Sequence, residues 1–81
     1  MSSQAFTVYS TQWCGPCKRL KSDLRKAGIE FLEIDIESDE AAAALVEKNN
    51  NGNRTVPTLI FADGTTMTNP SLAKIKEHLA L

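Results

Sequence analysis

The sequence predicts an α/β domain in which a four-stranded mixed β-sheet carries helices on both faces, in the order β-α-β-α-β-β-α. Three observations lead to this fold class. Short β-branched or alternating runs indicate strands, stretches with helical spacing separate the first three of them, and an Asp-Gly turn joins the last two. Helices that alternate with the early strands indicate a right-handed parallel unit, and the turn adds an antiparallel pair. The 81 residues are expected to form one domain over positions 1–81.

The first strand and the first helix are predicted from a change of period. Phe6–Tyr9 is a β-branched and aromatic run that is typical of a strand. From Cys17 to Ala27 the spacing becomes helical, with cations on the outer positions. The inward positions are Cys17, Leu20 and Leu24. Gly28 follows the basic last turn, where a helix C-terminus favours glycine.

The second strand and helix follow in the same way. Phe31–Ile36 predicts a strand in which Leu32, Ile34 and Ile36 alternate with acidic residues, and Asp35 is interpreted as facing solvent. Asp39–Lys48 predicts a helix that is rich in alanine. Its cap is Ser38 or Asp39, and its apolar contribution comes from Leu45 and Val46.

The last third of the chain predicts a hairpin and a closing helix. Residues 49–53 are four asparagines and a glycine, which indicates a loop. Two strands, Thr58–Ala62 and Thr65–Thr68, flank the Asp63-Gly64 turn. The final helix opens at Pro70-Ser71, and its spaced apolar residues are Leu72, Ile75 and Leu79.

Composition and charge exclude several classes of function. The net charge is −1, with a basic block between Lys18 and Lys26 and an acidic block between Glu30 and Glu40. A nucleic-acid-binding protein would show a basic face with interleaved aromatic residues, and we therefore expect both blocks to be solvated surface. No apolar run is long enough to span a bilayer. Residues 1–4 lack the features of a signal peptide, so we expect a cytoplasmic protein.

The WCGPC segment at residues 13–17 lies where a strand is followed by a helix. Backbone N–H groups at a helix N-terminus lack partners and favour negative charge, so a thiolate at Cys14 is expected to have a lowered pKa. Lys18, one turn further on, adds a positive charge that also favours the thiolate. Cys17 lies one turn deeper, where it can resolve a mixed disulfide. The segment predicts a thiol–disulfide oxidoreductase with Cys14 as nucleophile and Cys17 as resolving thiol.

The residues around the two cysteines are expected to affect the acidity and reducing power of the thiols and their contact with partners. Pro16 suits the first turn of a helix, because its missing N–H would have no acceptor there. It also removes one donor to the thiolate, so Gly15-Pro16 is expected to make the dithiol less acidic and more reducing. Trp13 is expected to shield one side of Cys14 and to offer a flat surface to partners.

Three other interpretations of the cysteine pair remain open at this point. A structural zinc site needs about four ligands, and only His78 is left beyond the pair. An iron–sulfur site shared between two subunits would make the chain a metal or cluster carrier. The third reading is a purely structural disulfide.

Two motifs resemble a known superfamily. WCGPC is identical to the thioredoxin active-site motif, and Thr55–Thr58 (TVPT) resembles the cis-proline loop of thioredoxins and glutaredoxins. The order of elements resembles glutaredoxins, since thioredoxins carry a further N-terminal strand and helix. The likeness extends over nearly the whole chain to the mycoredoxins of actinobacteria, which are glutaredoxin-like proteins that reduce mycothiol mixed disulfides. The segments that carry it include residues 51–58 and 68–71.

The resemblance implies a thioredoxin (glutaredoxin-like) fold and a thiol substrate. It implies that Pro57 is cis and that the Val56 backbone pairs with an extended substrate as an added strand. Glutaredoxins that use glutathione have a Gly-Gly pair where this chain has Thr68-Asn69. Mycothiol, which lacks a γ-glutamyl group, is therefore the expected co-substrate, ahead of glutathione.

These considerations give a set of candidate residues and partners. Lys21 and Arg54 are candidates to steer or hold a polar thiol, and Asn69 either bonds such a thiol or serves a turn. The full substrate-binding set is Gln12, Trp13, Gly15, Pro16, Lys21, Arg54, Thr55, Val56, Pro57, Thr68 and Asn69. No metal and no tightly bound cofactor is expected. Expected partners are disulfide-containing or S-thiolated proteins and a flavin disulfide reductase, with the chain a monomer.

An alternative function stays open beside the mycothiol hypothesis. Gly15-Pro16 also suits a dithiol that a thioredoxin reductase recycles. Such a protein would donate electrons to ribonucleotide reductase or to other protein disulfides.

Overall fold

The computed structural model describes residues 6–81. Residues 1–4, whose composition argues against a signal peptide, lie outside this range. The described residues form four strands and three helices: β1 (Phe6–Ser10), α1 (Gly15–Lys26), β2 (Leu32–Asp35), α2 (Glu40–Asn49), β3 (Thr58–Phe61), β4 (Thr66–Thr68) and α3 (Leu72–Leu79). The order of elements is the predicted one.

The strands form one mixed sheet in the order β2-β1-β3-β4. β1 and β2 are parallel, which confirms the predicted unit around α1. β3 pairs antiparallel with both β1 and β4. The register places Phe6 opposite Phe61 and Tyr9 opposite Thr58, so the end of β1 lies beside the start of β3.

Two apolar layers sandwich the sheet, which confirms the predicted helices on both faces. On one face, Leu20, Leu24 and Ile75 from α1 and α3 pack against strand residues. The strand residues of this layer are Phe6, Val8, Leu59 and Phe61. On the other face, α2 covers the end of the sheet at which β1 finishes. Ala42, Ala43 and Val46 of α2 cluster there with Tyr9 of β1 and with Ile36, which follows β2. Alternate side chains of one strand thus reach opposite layers, as strand geometry requires.

Local chemistry sets where the helices begin and end. α1 begins at Gly15, two residues earlier than predicted, because Cys14 serves as the cap and Pro16 fits the first turn. Gly28 follows it with a φ of 72°, which glycine adopts at no steric cost. The Asp39 side chain caps α2 and the Ser71 side chain caps α3, each accepting a backbone N–H.

Besides shifts of one or two residues at the ends of elements, three side chains differ from the predictions. Leu32 is 50% exposed, because it lies on an edge strand beyond the region that α2 covers. Leu45 is also exposed, since the buried seam of α2 consists of Ala42, Ala43 and Val46. Asp35 is half-buried, and its Oδ1 accepts the N–H of Glu37 at 2.9 Å, so it closes a turn.

One ion pair joins the edge strand to the first helix. Glu33 on β2 forms a salt bridge with Lys21 of α1. The same carboxylate accepts a hydrogen bond from Ser10 Oγ at 3.0 Å, at the end of β1. The hydrogen bond from Lys21 lowers the pKa of the Glu33 carboxyl below its ordinary value. Glu33 therefore links three elements just below the loop that carries the cysteines.

Leu24→Ala is expected to lower the free energy of unfolding by about 2–5 kcal/mol, because it empties space in a fully buried layer. Leu32→Ala is the matched control, and the exposed position predicts a loss below about 1 kcal/mol. Urea denaturation followed by circular dichroism measures both. Equal losses in the two variants would contradict the assignment of Leu24 to the core.

Glu33→Gln is expected to lower Tm at pH 7 by about 2–4 °C, a small effect because solvent screens a partly exposed carboxylate. A lowered pKa in the folded state means that the stabilisation is complete above the ordinary value of 4.5 and is lost as the pH falls through the folded value. The difference in Tm between the two proteins should therefore shrink toward pH 3. Glu30→Gln, in the same acidic block, serves as control. A difference in Tm that stays constant down to pH 3 would argue against stabilisation by the ionised Glu33 carboxylate.

Candidate active site

Cys14 stands at the N-terminus of α1 and caps it. Its Sγ accepts the backbone N–H of Cys17 at 3.2 Å, and its carbonyl accepts the N–H of Lys18 at 3.1 Å. The Cys14 N–H in turn donates to the Thr11 carbonyl at 3.4 Å, which closes the loop after β1. A sulfur in this position receives a backbone donor and the positive end of the helix dipole, and both stabilise negative charge on it.

Cys14 and Cys17 are joined in a disulfide. Cys17 is 0% exposed and Cys14 is 5% exposed. Of the pair, only Cys14 reaches the surface, so an incoming disulfide can meet this sulfur first. Cys17 lies beneath it on the same helix, where it can attack a disulfide formed at Cys14.

The Val56–Pro57 segment faces the cysteines from the start of β3. Its peptide bond is cis, which confirms the expectation for Pro57. The Val56 carbonyl oxygen lies 3.8 Å from Cys14 Sγ. Pro57 is buried and Val56 is half-buried. The register of β1 with β3 brings this segment to the cysteines from more than forty residues further along the chain.

Trp13 forms an exposed rim beside Cys14. Its side chain is among the most exposed large apolar groups, at 70%. The indole N–H nevertheless donates to Glu37 Oε2 at 3.0 Å, which fixes the ring to the turn after β2. Gln12, before it, is exposed. Sequence reasoning missed Glu37, since a charge in an acidic stretch gives no sign of its partner.

A groove of about 520 Å³ extends from the cysteine motif to the start of α3. It lies on the Gly15-Pro16 side of the motif, so it brings these two residues together with the predicted Asn69. Its lining residues are Gly15, Pro16, Arg19, Leu20, Asp23, Asn69, Pro70, Ser71 and Leu72.

The two predicted steering cations are both held by carboxylates. Lys21 is paired with Glu33, as described above. Arg54 Nε lies 2.6 Å from Glu47 Oε2, and its Nη2 lies 3.7 Å from Glu40 Oε1. The hydrogen bond to Glu47 raises the pKa of Arg54 further above its already high value. Binding a polar thiol through either cation would require an exchange of partners.

The predicted site residues Thr55, Thr68 and Asn69 are hydrogen-bonded to neighbouring loop residues. Thr58 Oγ1 donates to the Thr55 carbonyl at 2.7 Å. The Asn69 N–H donates to the Pro57 carbonyl at 2.8 Å, and Asn69 has a φ of 47°, the left-handed conformation that asparagine tolerates. Thr68 Oγ1 donates at 2.7 Å to Oδ1 of Asn50, a residue that sequence reasoning assigned only to a loop.

The remaining candidate metal ligand is remote from the cysteines. His78 Nε2 lies 3.1 Å from Asp63 Oδ2, and its ring packs on Phe61 at the end of the sheet opposite the site. Within residues 6–81, no three His, Cys, Asp or Glu side chains are grouped so that they could hold a metal ion. No helix in the same range is long and apolar enough to cross a membrane.

The sequence matches known proteins over most of its length. The family model described as Glutaredoxin matches residues 6–66. A glutaredoxin-type protein of Mycobacterium tuberculosis H37Rv is 52% identical over 79 residues, which cover 98% of this chain and 94% of the relative. Mycoredoxin 1 of Corynebacterium glutamicum is 44% identical over 69 residues, which cover 85% of each chain.

Solved structures agree on the fold. A mutant of the thioredoxin-like protein BC3987 has a TM-score of 0.80 at 23% identity, over 96% of this chain and 97% of that one. A glutaredoxin from Archaeoglobus fulgidus has a TM-score of 0.71 at 24% identity, over 96% and 88% of the two chains. With Cys14 and Cys17 placed as described, the chain belongs to the glutaredoxin family and is a thiol–disulfide oxidoreductase of the mycoredoxin and glutaredoxin-like type.

Proposed function

We propose that the chain reduces mixed disulfides between proteins and a small thiol without a γ-glutamyl carboxylate, namely mycothiol. The similarity to Mycoredoxin 1 supports the substrate class. The observation that carries the choice of thiol is the chemistry of the segment from Thr68 to Ser71, which borders the groove beside the cysteine motif.

This segment has few donors left for a carboxylate. The Thr68 hydroxyl donates to Asn50, and the Asn69 N–H donates to the Pro57 carbonyl. Pro70 has no N–H, and Ser71 Oγ accepts from the N–H of Lys74 at 3.2 Å. The Asn69 N–H is thus already bonded and Pro70 has none, so this neighbouring pair cannot offer two backbone N–H groups to a carboxylate. A thiol that carries sugar hydroxyl groups can instead use acceptors and side chains such as the exposed Asn69 amide.

In the first step, the Cys14 thiolate attacks the mycothiol sulfur of a protein–mycothiol disulfide. The bond between the two substrate sulfurs breaks, and a Cys14–mycothiol disulfide forms. The protein leaves as a thiolate and takes a proton from solvent. The Cys17 N–H and the N-terminus of α1 stabilise the Cys14 thiolate before the attack.

Two routes then clear the mixed disulfide. A second mycothiol thiolate attacks the bound mycothiol sulfur, releases Cys14 as a thiolate and leaves as mycothiol disulfide. Alternatively, Cys17 attacks the Cys14 sulfur and releases mycothiol, which gives the Cys14–Cys17 disulfide. In the second route a flavin disulfide reductase or two further thiols supply the two electrons that restore the dithiol.

A thioredoxin-type dithiol donor is the second candidate. It is favoured by Gly15-Pro16, which the chain shares with the thioredoxin motif, and by the buried position of Cys17. In that role the Cys14–Cys17 disulfide would form in each cycle, and a thioredoxin reductase would reduce it.

Comparison of three recycling systems decides between these functions. NADPH-linked initial rates are measured with mycothiol and its reductase, with glutathione and its reductase, and with thioredoxin reductase alone. We expect mycothiol to exceed glutathione by at least about tenfold, which corresponds to about 1.4 kcal/mol of differential recognition. Equal rates with the two thiols would contradict the assignment of mycothiol. Faster recycling by thioredoxin reductase than by mycothiol and its reductase would favour the dithiol donor.

Cys17→Ser separates the two routes. The variant is expected to keep its rate on a protein–mycothiol disulfide within about threefold, because the second mycothiol needs only Cys14. It should lose the reduction of ordinary protein disulfides, since no resolving thiol remains. Cys14→Ser, the control, should lose both activities. If Cys17→Ser loses the mixed-disulfide activity, whether or not it still reduces ordinary protein disulfides, the monothiol route is wrong.

A further inference from the structure

Asn50 lies behind the loop that faces the cysteines, at the C-terminus of α2. Its Nδ2 donates to the Val46 carbonyl at 2.8 Å and to Thr58 Oγ1 at 3.1 Å. Its Oδ1 accepts from Thr68 Oγ1 at 2.7 Å. One side chain thus joins the end of α2, the start of β3 and the end of β4. Asn50 itself is half-buried.

The partners define the orientation of this amide. The Val46 carbonyl is only an acceptor, so it requires an N–H. The single hydroxyl proton of Thr58 is donated to the Thr55 carbonyl at 2.7 Å, so Thr58 Oγ1 must accept from Asn50. The Thr68 hydroxyl then donates to the remaining amide oxygen. Both amide hydrogens and the oxygen are used, and the Val46 carbonyl and Thr58 Oγ1 together define which end of the amide faces them.

This network fixes the loop at both ends. Thr58 follows Pro57, and its hydroxyl ties back to the Thr55 carbonyl on the other side of Val56. The Asn69 N–H, next to Thr68, holds the Pro57 carbonyl at 2.8 Å. Asn50 contacts Thr58, whose hydroxyl makes the first of these bonds, and Thr68, the neighbour of the residue that makes the second. The Asn50 amide therefore connects the two hydrogen bonds that hold the loop, one through Thr58 and the other next to Thr68.

We propose that Asn50 is a positioning residue, which holds the Val56 backbone at the distance from Cys14 that an extended disulfide substrate requires. The Val56 carbonyl lies 3.8 Å from Cys14 Sγ, so a substrate paired with this backbone presents its sulfur to the nucleophile. A displacement of about 1 Å at such a point can cost a large factor in rate. The inference rests on the thiol–disulfide exchange activity and on pairing at Val56, and it is independent of which small thiol is used.

Asn49 provides a matched control in the neighbouring position. Its Nδ2 donates to the Leu45 carbonyl at 2.9 Å, the same bond back along the helix that Asn50 makes to Val46. Asn49 is exposed, and its side chain has no bond to β3 or β4 among those described for residues 6–81. Replacing each asparagine by alanine removes the helix bond in both variants, and only Asn50→Ala removes the support of the loop.

The test uses two disulfides with the same leaving group. One is a short extended peptide whose cysteine carries 2-thio-5-nitrobenzoate, and the other is the symmetrical disulfide of that thiol, which has no peptide backbone. Reduced protein is mixed with each substrate, and release of the coloured thiol gives the second-order rate constant. Neither substrate contains mycothiol or glutathione, so this result and the choice of small thiol can fail separately.

Asn50→Ala is expected to lower the rate constant with the peptide about five- to tenfold, which is the size expected for loss of one or two hydrogen bonds. The rate constant with the small disulfide should stay within about twofold, because this substrate does not use the Val56 backbone. Asn49→Ala should leave both rate constants within about twofold.

Three results would overturn the proposal. These are an unchanged rate with the peptide in Asn50→Ala, an equal fall with both substrates, and an equal effect in Asn49→Ala. If Asn50→Ala does not fold, Asn50→Asp replaces it, since it keeps the side-chain shape and the acceptor for Thr68 but removes the N–H donors to Val46 and Thr58. That variant should slow the peptide about threefold, again with the small disulfide unaffected. An equal fall in the rate constants with both substrates would contradict the proposal for this variant as well.

Discussion

The antiparallel pairing of β1 with β3 decides where chemistry is possible in this fold. Tyr9 lies opposite Thr58, so the loop that leaves β1 and the loop that enters β3 meet at one edge of the molecule. One loop delivers Cys14 to the start of a helix, and the other delivers the Val56 backbone beside it. A shift of this register by one residue would turn side chains to the wrong face and separate the two loops.

Hydrogen bonds and ion pairs then fix the surroundings of the cysteines from several directions. Glu33 links Ser10 to Lys21 below the cysteine loop, and Glu37 fixes the ring of Trp13 at its rim. Glu47 holds Arg54 just ahead of Thr55. Two carboxylates of the acidic block, Glu33 and Glu37, thus bind partners within the molecule while they lie on the exposed surface that the sequence suggested. Individually such exposed pairs are weak, and their common effect is to limit the number of positions that the two loops can take.

The sequence was sufficient for the fold and for the nucleophile, because both depend on local patterns. Alternation, helical spacing and the cap position of Cys14 are properties of short segments, and they predicted all seven elements. Leu32 was misjudged, because its exposure depends on the position of β2 at the edge of the sheet. Asn50 and Glu37 were missed for a related reason, since their partners are remote in sequence and are brought close by strand order. Sequence reasoning identified the asparagine run as a loop, and only the sheet reveals what Asn50 supports.

The order of strands also bears on self-association. The sheet ends in β2 and β4, which are only four and three residues long, and Glu33 stands on the outer strand β2. Short edge strands with charged side chains disfavour the edge-to-edge pairing that leads to aggregation. Under the proposed pairing of an extended substrate with the Val56 backbone, a peptide would bind at the loop before β3, while the short outer strands give another copy little to extend.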